Sequence, residues 1–134
     1  MQDVLTTADG RPLASTDFFI PGAVLKTEVD NSRPLTFGAP RQMDVFFNRN
    51  AGFRHAGDGA SLVRYPQQVA VSSGWAIGPE KLSGADAVLD LEHGQGRVIV
   101  LGPDVVNRAQ ARASSRLLFN ALFYGPAAAS EATR

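Results

Sequence analysis

Residues 85–102, ADAVLDLEHGQGRVIVLG, carry the clearest structural signal in the chain. Val88, Leu89 and Leu91 precede the link Gly94-Gln95-Gly96, and Val98, Ile99, Val100 and Leu101 follow it. So short a glycine-rich link between two β-prone runs predicts an antiparallel hairpin. The same glycines look like a fragment of a dinucleotide-binding fingerprint. That motif needs a helix after its glycines, however, and here a strand follows. VIVL is apolar at every position, which predicts a strand buried on both faces.

Downstream, residues 108–124 lack Gly and Pro and are rich in Ala, Leu and Arg, so they read as a helix. Gly125-Pro126 reads as its stop, and residues 127–134 as a flexible tail. Arg108, Arg112 and Arg116 fall on one stripe at helical spacing. A solvated face is the simpler reading of that stripe, since no aromatic residues interleave to make a phosphate or nucleic-acid platform. The second half is different. Leu117, Leu118, Phe119, Ala121, Leu122, Phe123 and Tyr124 leave only Arg116 and Asn120 as a polar sector. A surface helix needs an apolar stripe a little over ~100° wide, and this one is far wider. Leu118, Phe119, Leu122, Phe123 and Tyr124 are therefore expected at an interface with another domain or a second copy of the chain.

Upstream, residues 23–29 alternate and read as a strand, residues 43–48 as another, and residues 61–65 and 68–72 as short ones. Val4 to Thr6 is a further candidate. Asp9-Gly10 and Pro21-Gly22 are turn signals, and residues 30–40 and 50–59 read as loops. Glu80-Lys81-Leu82 fits one helical turn. No internal repeat is visible.

Composition narrows function by exclusion. Thirteen Lys and Arg balance thirteen Asp and Glu among 134 residues, so no net field draws in nucleic acid or an acidic membrane surface. With 44% hydrophobic and 19% charged residues, the chain is globular in composition. It has no Cys, which removes disulfides, thiolate metal sites and cysteine nucleophiles. No apolar run approaches the ~20 residues of a membrane span. Residues 1–13 lack the basic and apolar regions of a signal peptide.

Candidate chemistry is sparse. His55 and Asp58 have a loose metal-ligand spacing inside a glycine-rich loop, without a third ligand in view. His93 beside Glu92 is a general-base candidate without a nucleophile. No G-x-S-x-G elbow is present, and Ser72-Ser73 and Ser114-Ser115 have no attached base, the second pair reading as a small packing face. Trp75, in SSGWAIG, reads as a core anchor, with an exposed stacking platform as the alternative. Asp17, Asp30, Asp44, Asp86, Asp90 and Asp104 sit scattered at element ends, where Asp serves turns and caps. No catalytic residue and no metal ligand is assigned. A peptide- or glycan-binding cleft near Trp75, with Ser73, Tyr65 and Arg49, is an alternative function. A stand-alone hydrolase using His93 or His55 is a weaker one.

FFIPGAVLKTEVD (18–30), RPLTFGAP (33–40), VFFNRN (45–50) and the run from SSGWAIG to FYGP (72–126) together resemble one known arrangement. It is the C-terminal region of bacterial carboxypeptidase A-like zinc metallopeptidases, where a domain similar to class I glutamine amidotransferases follows the catalytic domain. The resemblance covers roughly residues 17–126. SGWAIGPEKLSG, GQGRVIVLG and RLLFNALFYG are its most specific parts. It implies an α/β fold, part of a flavodoxin- or amidotransferase-like sheet with a β-hairpin and one long C-terminal helix. Residues 1–126 would form a single accessory unit, the C-terminal part of a larger domain whose first half supplies central parallel strands. Zinc peptidase chemistry needs an H-x-x-E pair, and amidotransferase chemistry a Cys with H-x-E. His55 and His93 stand in neither pattern. The resemblance therefore implies a non-catalytic module that docks on a catalytic domain or mediates oligomerisation. Any zinc would belong to the parent's catalytic domain. A periplasmic or secreted location is implied by resemblance alone.

Overall fold

A computed structural model describes residues 1–131. Its strands are β1 (Gln2–Asp3), β2 (Ala23–Val29), β3 (Gln42–Phe47), β4 (Phe53–Arg54), β5 (Gly59–Arg64), β6 (Val71–Gly74), β7 (Asp86–His93) and β8 (Gly96–Leu101), and α1 spans Ser115–Glu131. Short 3-10 turns occupy Pro34–Thr36, Pro79–Leu82 and Asn107–Ala109. The eight strands make one sheet in the order β1-β4-β7-β5-β2-β3, with β6 on β2 and β8 on β7. Every pairing between these strands is antiparallel. The fold is thus a strand-rich mixed α/β with one C-terminal helix.

The predicted hairpin forms with six consecutive pairs, from Val88↔Leu101 to His93↔Gly96. Its loop is only Gly94-Gln95, and Gly94 takes φ 59°, the left-handed geometry that a two-residue hairpin loop requires. The chain then continues beside the sheet. Gly102 N–H donates to Ala87 O at 2.9 Å, and Asp104 N–H to Phe46 O at 3.0 Å. Phe46 lies on β3, at the far end of the strand order from β1 and β4. The sheet is therefore curled enough for one crossing segment to touch both β7 and β3. Curling lets a single helix suffice, because the strands enclose much of the core themselves. Leu25, Val45, Phe47, Val63, Tyr65, Ala85, Ala87 and Val88 are all buried in it.

Several expectations need correction. Strand β8 is not buried on both faces: Val98 is 47% exposed, and Ile99, Val100 and Leu101 are only half-buried. It has one strand neighbour among the described residues, so one edge has no strand partner there. Its partner β7 is the strand that is shut in, buried at each position from Asp86 to Asp90. The helix begins at Ser115 and not at residue 108. Arg108 and Ala109 take φ 47° and 54°, which breaks helical geometry there. Ser114, fully buried, turns its hydroxyl to Val105 O (2.9 Å) and Ala111 O (2.6 Å) and so locks the entry to the helix. Arg108, Arg112 and Arg116 therefore do not share one helical stripe. Nor does the helix stop at Gly125-Pro126, since it continues to Glu131. Proline removes one backbone donor, but Ala127, Ala128 and Ala129 just beyond it are the strongest helix formers. The tail expected over residues 127–134 thus falls partly inside α1, and residues 132–134 lie outside the described residues. Val4 to Thr6 contributes only a bridge, Thr6↔Pro12, and the strand expected over residues 68–72 is shifted to β6.

Helix α1 anchors its inner side through Leu117, which is buried. Leu118 and Ala121 pack part-buried against the core. Asn120 Nδ2 donates to Leu35 O and Phe37 O, both at 3.0 Å, and ties the helix to the Pro34–Thr36 turn. Among the described residues no helix is long and apolar enough to cross a membrane.

Candidate functional site

Three side chains from distant parts of the sequence meet on the surface beside β6. The ring of Phe19 lies 5.8 Å from that of Trp75, tilted by 55°. Arg49 Cζ lies 5.7 Å from the centroid of the same Phe19 ring. The order is a ladder, Trp75–Phe19–Arg49, with the half-buried phenyl ring in the middle.

Backbone geometry builds it. Phe19 and Ile77 exchange two backbone hydrogen bonds, at 3.0 and 2.9 Å, which fixes the segment before Pro21-Gly22 against the segment after β6. Gly74 ends β6 with φ 86°, and a Cβ there would stand 2.7 Å from Gly22 O. Only glycine fits, and that close approach delivers Trp75 to Phe19. Arg49 follows β3 with φ 55° and is not glycine, a backbone geometry that costs on the order of 1 kcal/mol. Two contacts hold it there: Arg49 N–H donates to Ile20 O at 3.2 Å, and Asn48 N–H to Asn50 Oδ1 at 2.6 Å. No carboxylate lies within ion-pair distance of Arg49 among the described residues.

Phe19 and Arg49 also wall a cleft of about 350 Å³, within the range of small-ligand sites. Its other apolar walls include Leu5, Leu13, Phe18 and Ile20. Asp3, Thr6 and Asn50 supply the remaining polar lining. Each is used locally in part. Asp3 Oδ1 accepts from Leu5 N–H at 2.9 Å, the Thr6 hydroxyl donates to Asp3 O at 2.9 Å, and Asn50 Oδ1 takes the Asn48 bond. The Arg49 guanidinium is the one cation of this lining, and Asp3 Oδ2 and Asn50 Nδ2 are the other side-chain atoms without a bond to the described residues.

The residues expected near a cleft at Trp75 separate. Arg49 and Trp75 come together through Phe19, which sequence reasoning did not single out. Trp75 is 55% exposed, so its reading as a core anchor is corrected: Gly74 holds it outside the sheet. Ser73 lies exposed on β6 opposite Val24, lining a different depression. Tyr65 is fully buried, edge-to-face with Phe47 at 6.3 Å, and its hydroxyl has no hydrogen-bond partner among the described residues. Burial pushes that hydroxyl far above its ordinary range. It belongs to the core, because its position just after β5 turns inward.

The acidic residues of β7 form a second constellation that the sequence reading had assigned to turns and caps. Asp86 Oδ1 accepts from the Ser61 hydroxyl at 2.5 Å and from Arg64 Nε at 3.0 Å, and Oδ2 from His55 N–H at 3.3 Å. Asp90 takes a two-pronged contact from Arg97, whose Nε lies at 3.0 Å, and that bond holds the Arg97 guanidinium above its ordinary pKa. These are buried carboxylates satisfied by neighbouring strands. Ser61 has a carboxylate but no imidazole on its hydroxyl. His55 offers Asp86 only its backbone, while its ring Nε2 faces Asp58 O at 3.2 Å. Asp58 therefore meets His55 through its carbonyl and not its carboxylate. His93 sits exposed at the end of β7. No group of three or more metal-ligating side chains converges among the described residues.

The residues expected at an interface split as well. Leu118 is part-buried on the core, while Phe119 (55%), Leu122 (63%) and Phe123 (77%) are exposed, as is Tyr124 to a lesser degree. Phe37, whose carbonyl is held by Asn120, adds another exposed ring beside this part of the helix. No protein-family model, curated protein or solved structure matches the chain.

Proposed function

We propose that this chain is a non-catalytic interaction domain that docks through the outer face of α1 on a catalytic domain of a parent protein or on a second copy of itself. The exposed set Phe119, Leu122, Phe123 and Phe37 carries this reading. An aromatic side chain presents roughly 150–250 Å². Four large apolar groups at one end of the molecule thus amount to several hundred Å², the size at which a surface patch marks a contact site. The inner side of the helix is already satisfied by Leu117 and the Asn120 clamp, so folding does not use this outer face.

The resemblance to the C-terminal region of carboxypeptidase A-like zinc metallopeptidases favours a zinc-dependent catalytic domain as the neighbour. The finer assignment to an amidotransferase-like sheet belongs to the same proposal. Since every strand pairing described here is antiparallel, the parallel strands of such a fold would have to come from another segment.

Sedimentation and dye binding test the docking face. Wild-type protein is expected to self-associate or to bind an apolar dye, and Phe119→Ser with Phe123→Ser to abolish either behaviour while the fold persists. A wild-type monomer that binds no dye, indistinguishable from the double variant, overturns the proposal.

A further inference from the structure

We propose that the cleft beside Arg49 binds an apolar monocarboxylate, a molecule or chain end with one carboxylate on a hydrocarbon or aryl body. The site uses residues other than those of the α1 docking face, so the two proposals stand or fall separately.

Three observations carry it. The cleft is walled mainly by Leu5, Leu13, Phe18, Phe19 and Ile20, which selects a hydrocarbon or aryl body. Its one cation is the Arg49 guanidinium, which has no carboxylate within ion-pair distance among the described residues, although Asp3 lines the same cleft, and a guanidinium pairs with a planar carboxylate through two parallel hydrogen bonds. Arg49 is also held at φ 55° by contacts to Ile20 and the Asn48–Asn50 turn, where a glycine would carry no strain. Strain kept at a residue whose charge meets a ring face but no carboxylate among the described residues is the kind of outlier from which a binding role is argued.

The same accounting disfavours a sugar. Glycan recognition needs several free acceptors around an aromatic platform. Here Asp3 Oδ1 and Asn50 Oδ1 are turned to backbone N–H groups and the Thr6 hydroxyl proton is spent on Asp3 O, which leaves Asp3 Oδ2 as the free carboxylate oxygen. Trp75 stacks on the cleft's Phe19 wall, so the sole tryptophan of the chain reports on occupancy.

The experiment titrates the protein with 3-phenylpropionate and with its uncharged amide, following Trp75 fluorescence and the NMR signal of Arg49 Nε–H. For a ligand this small, affinity is expected at about the millimolar level. The amide is expected to bind about tenfold more weakly or worse, as loss of a charge-assisted bond implies. Arg49→Gly should weaken the acid by a similar factor while the melting temperature holds or rises, because glycine accepts φ 55°. Arg49→Lys keeps the charge but not the fork and should fall between. An N-acetylated dipeptide ending in Phe and octanoate form the other two arms. Tighter binding of the dipeptide assigns a peptide C-terminus as the source, and tighter binding of the free acids a small carboxylate. Equal binding of acid and amide, an unchanged affinity in Arg49→Gly, or no saturable change in either signal with any of the carboxylates overturns the proposal.

Discussion

Strands β7 and β8 are the two arms of one hairpin, yet they meet opposite fates. β7 carries two aspartates in DAVLDLEH, and its positions from Asp86 to Asp90 are all buried. β8 reads GRVIVL, with four apolar residues in a row, and is exposed or half-exposed throughout. Hydrophobicity alone ranks them the wrong way round. β7 has β5 on one side and β8 with β4 on the other, whereas among the described residues β8 pairs only with β7. Burial here follows rank in the sheet. The aspartates are tolerated inside because Ser61, Arg64 and Arg97 reach them from the flanking strands. Both arginines are about half exposed, so their charges keep contact with water while the carboxylates do not.

That contrast can be broken by measurement. The largest effect is expected at Leu89 in β7, which is wholly buried. Leu89→Ala should cost about 3 kcal/mol in urea unfolding, from lost transfer energy and the cavity left behind. A loss below ~1 kcal/mol would put β7 outside the tightly packed interior. Asp86→Ala removes three hydrogen bonds at once, but the freed Arg64 can reach water, so about 2 kcal/mol is expected from the same assay.

Tyr65, whose N–H bonds Ala85 O beside β7, extends the comparison to pH. Its folded pKa is raised above the ordinary 10.0 by burial. Above that value the unfolded state sheds the proton while the folded state keeps it. The stability contribution is therefore full below pH 10.0 and declines above it, by up to ~1.4 kcal/mol per pH unit. Tyr65→Phe should flatten this alkaline loss. At neutral pH the same variant should be neutral or more stable by up to ~1 kcal/mol, since a buried hydroxyl without a hydrogen-bond partner among the described residues disappears. An alkaline slope identical in the two proteins would contradict the buried placement. The smallest effect is expected on the exposed arm, where Val98→Thr should lie within ~0.5 kcal/mol of wild type. A cost near that of Leu89→Ala would mean that β8 is covered by a partner in solution.

Local signals were easy to read in this chain. The alternation over residues 23–29 and the Gly94-Gln95 turn mark β2 and the hairpin because side-chain period and positive φ are properties of a few adjacent residues. The turn at Pro79–Leu82 was legible for the same reason. The apolar excess of the C-terminal helix was legible too, since helical periodicity counts faces without needing to know the neighbour. The site was legible only in part. Arg49 and Trp75 could be named as residue types suited to binding, but Phe19, the ring between them, gave no signal beyond an apolar step into a turn. Tyr65 was misplaced because a Tyr beside a Pro looks the same on a rim as in a core. The helix start was missed because nothing in residues 108–114 warns of left-handed backbone at Arg108 and Ala109.

Composition, turn chemistry and periodicity, all short-range, determined by themselves that this is a strand-rich chain with a hairpin near its end and a greasy final helix. Which arm of the hairpin lies inside, which aspartates are paired, and which ring stands under Arg49 were decided only when the sheet curled and set β7 between β5 and β8. Those outcomes depend on neighbours tens of residues away, and no local pattern encodes a residue's rank in a sheet.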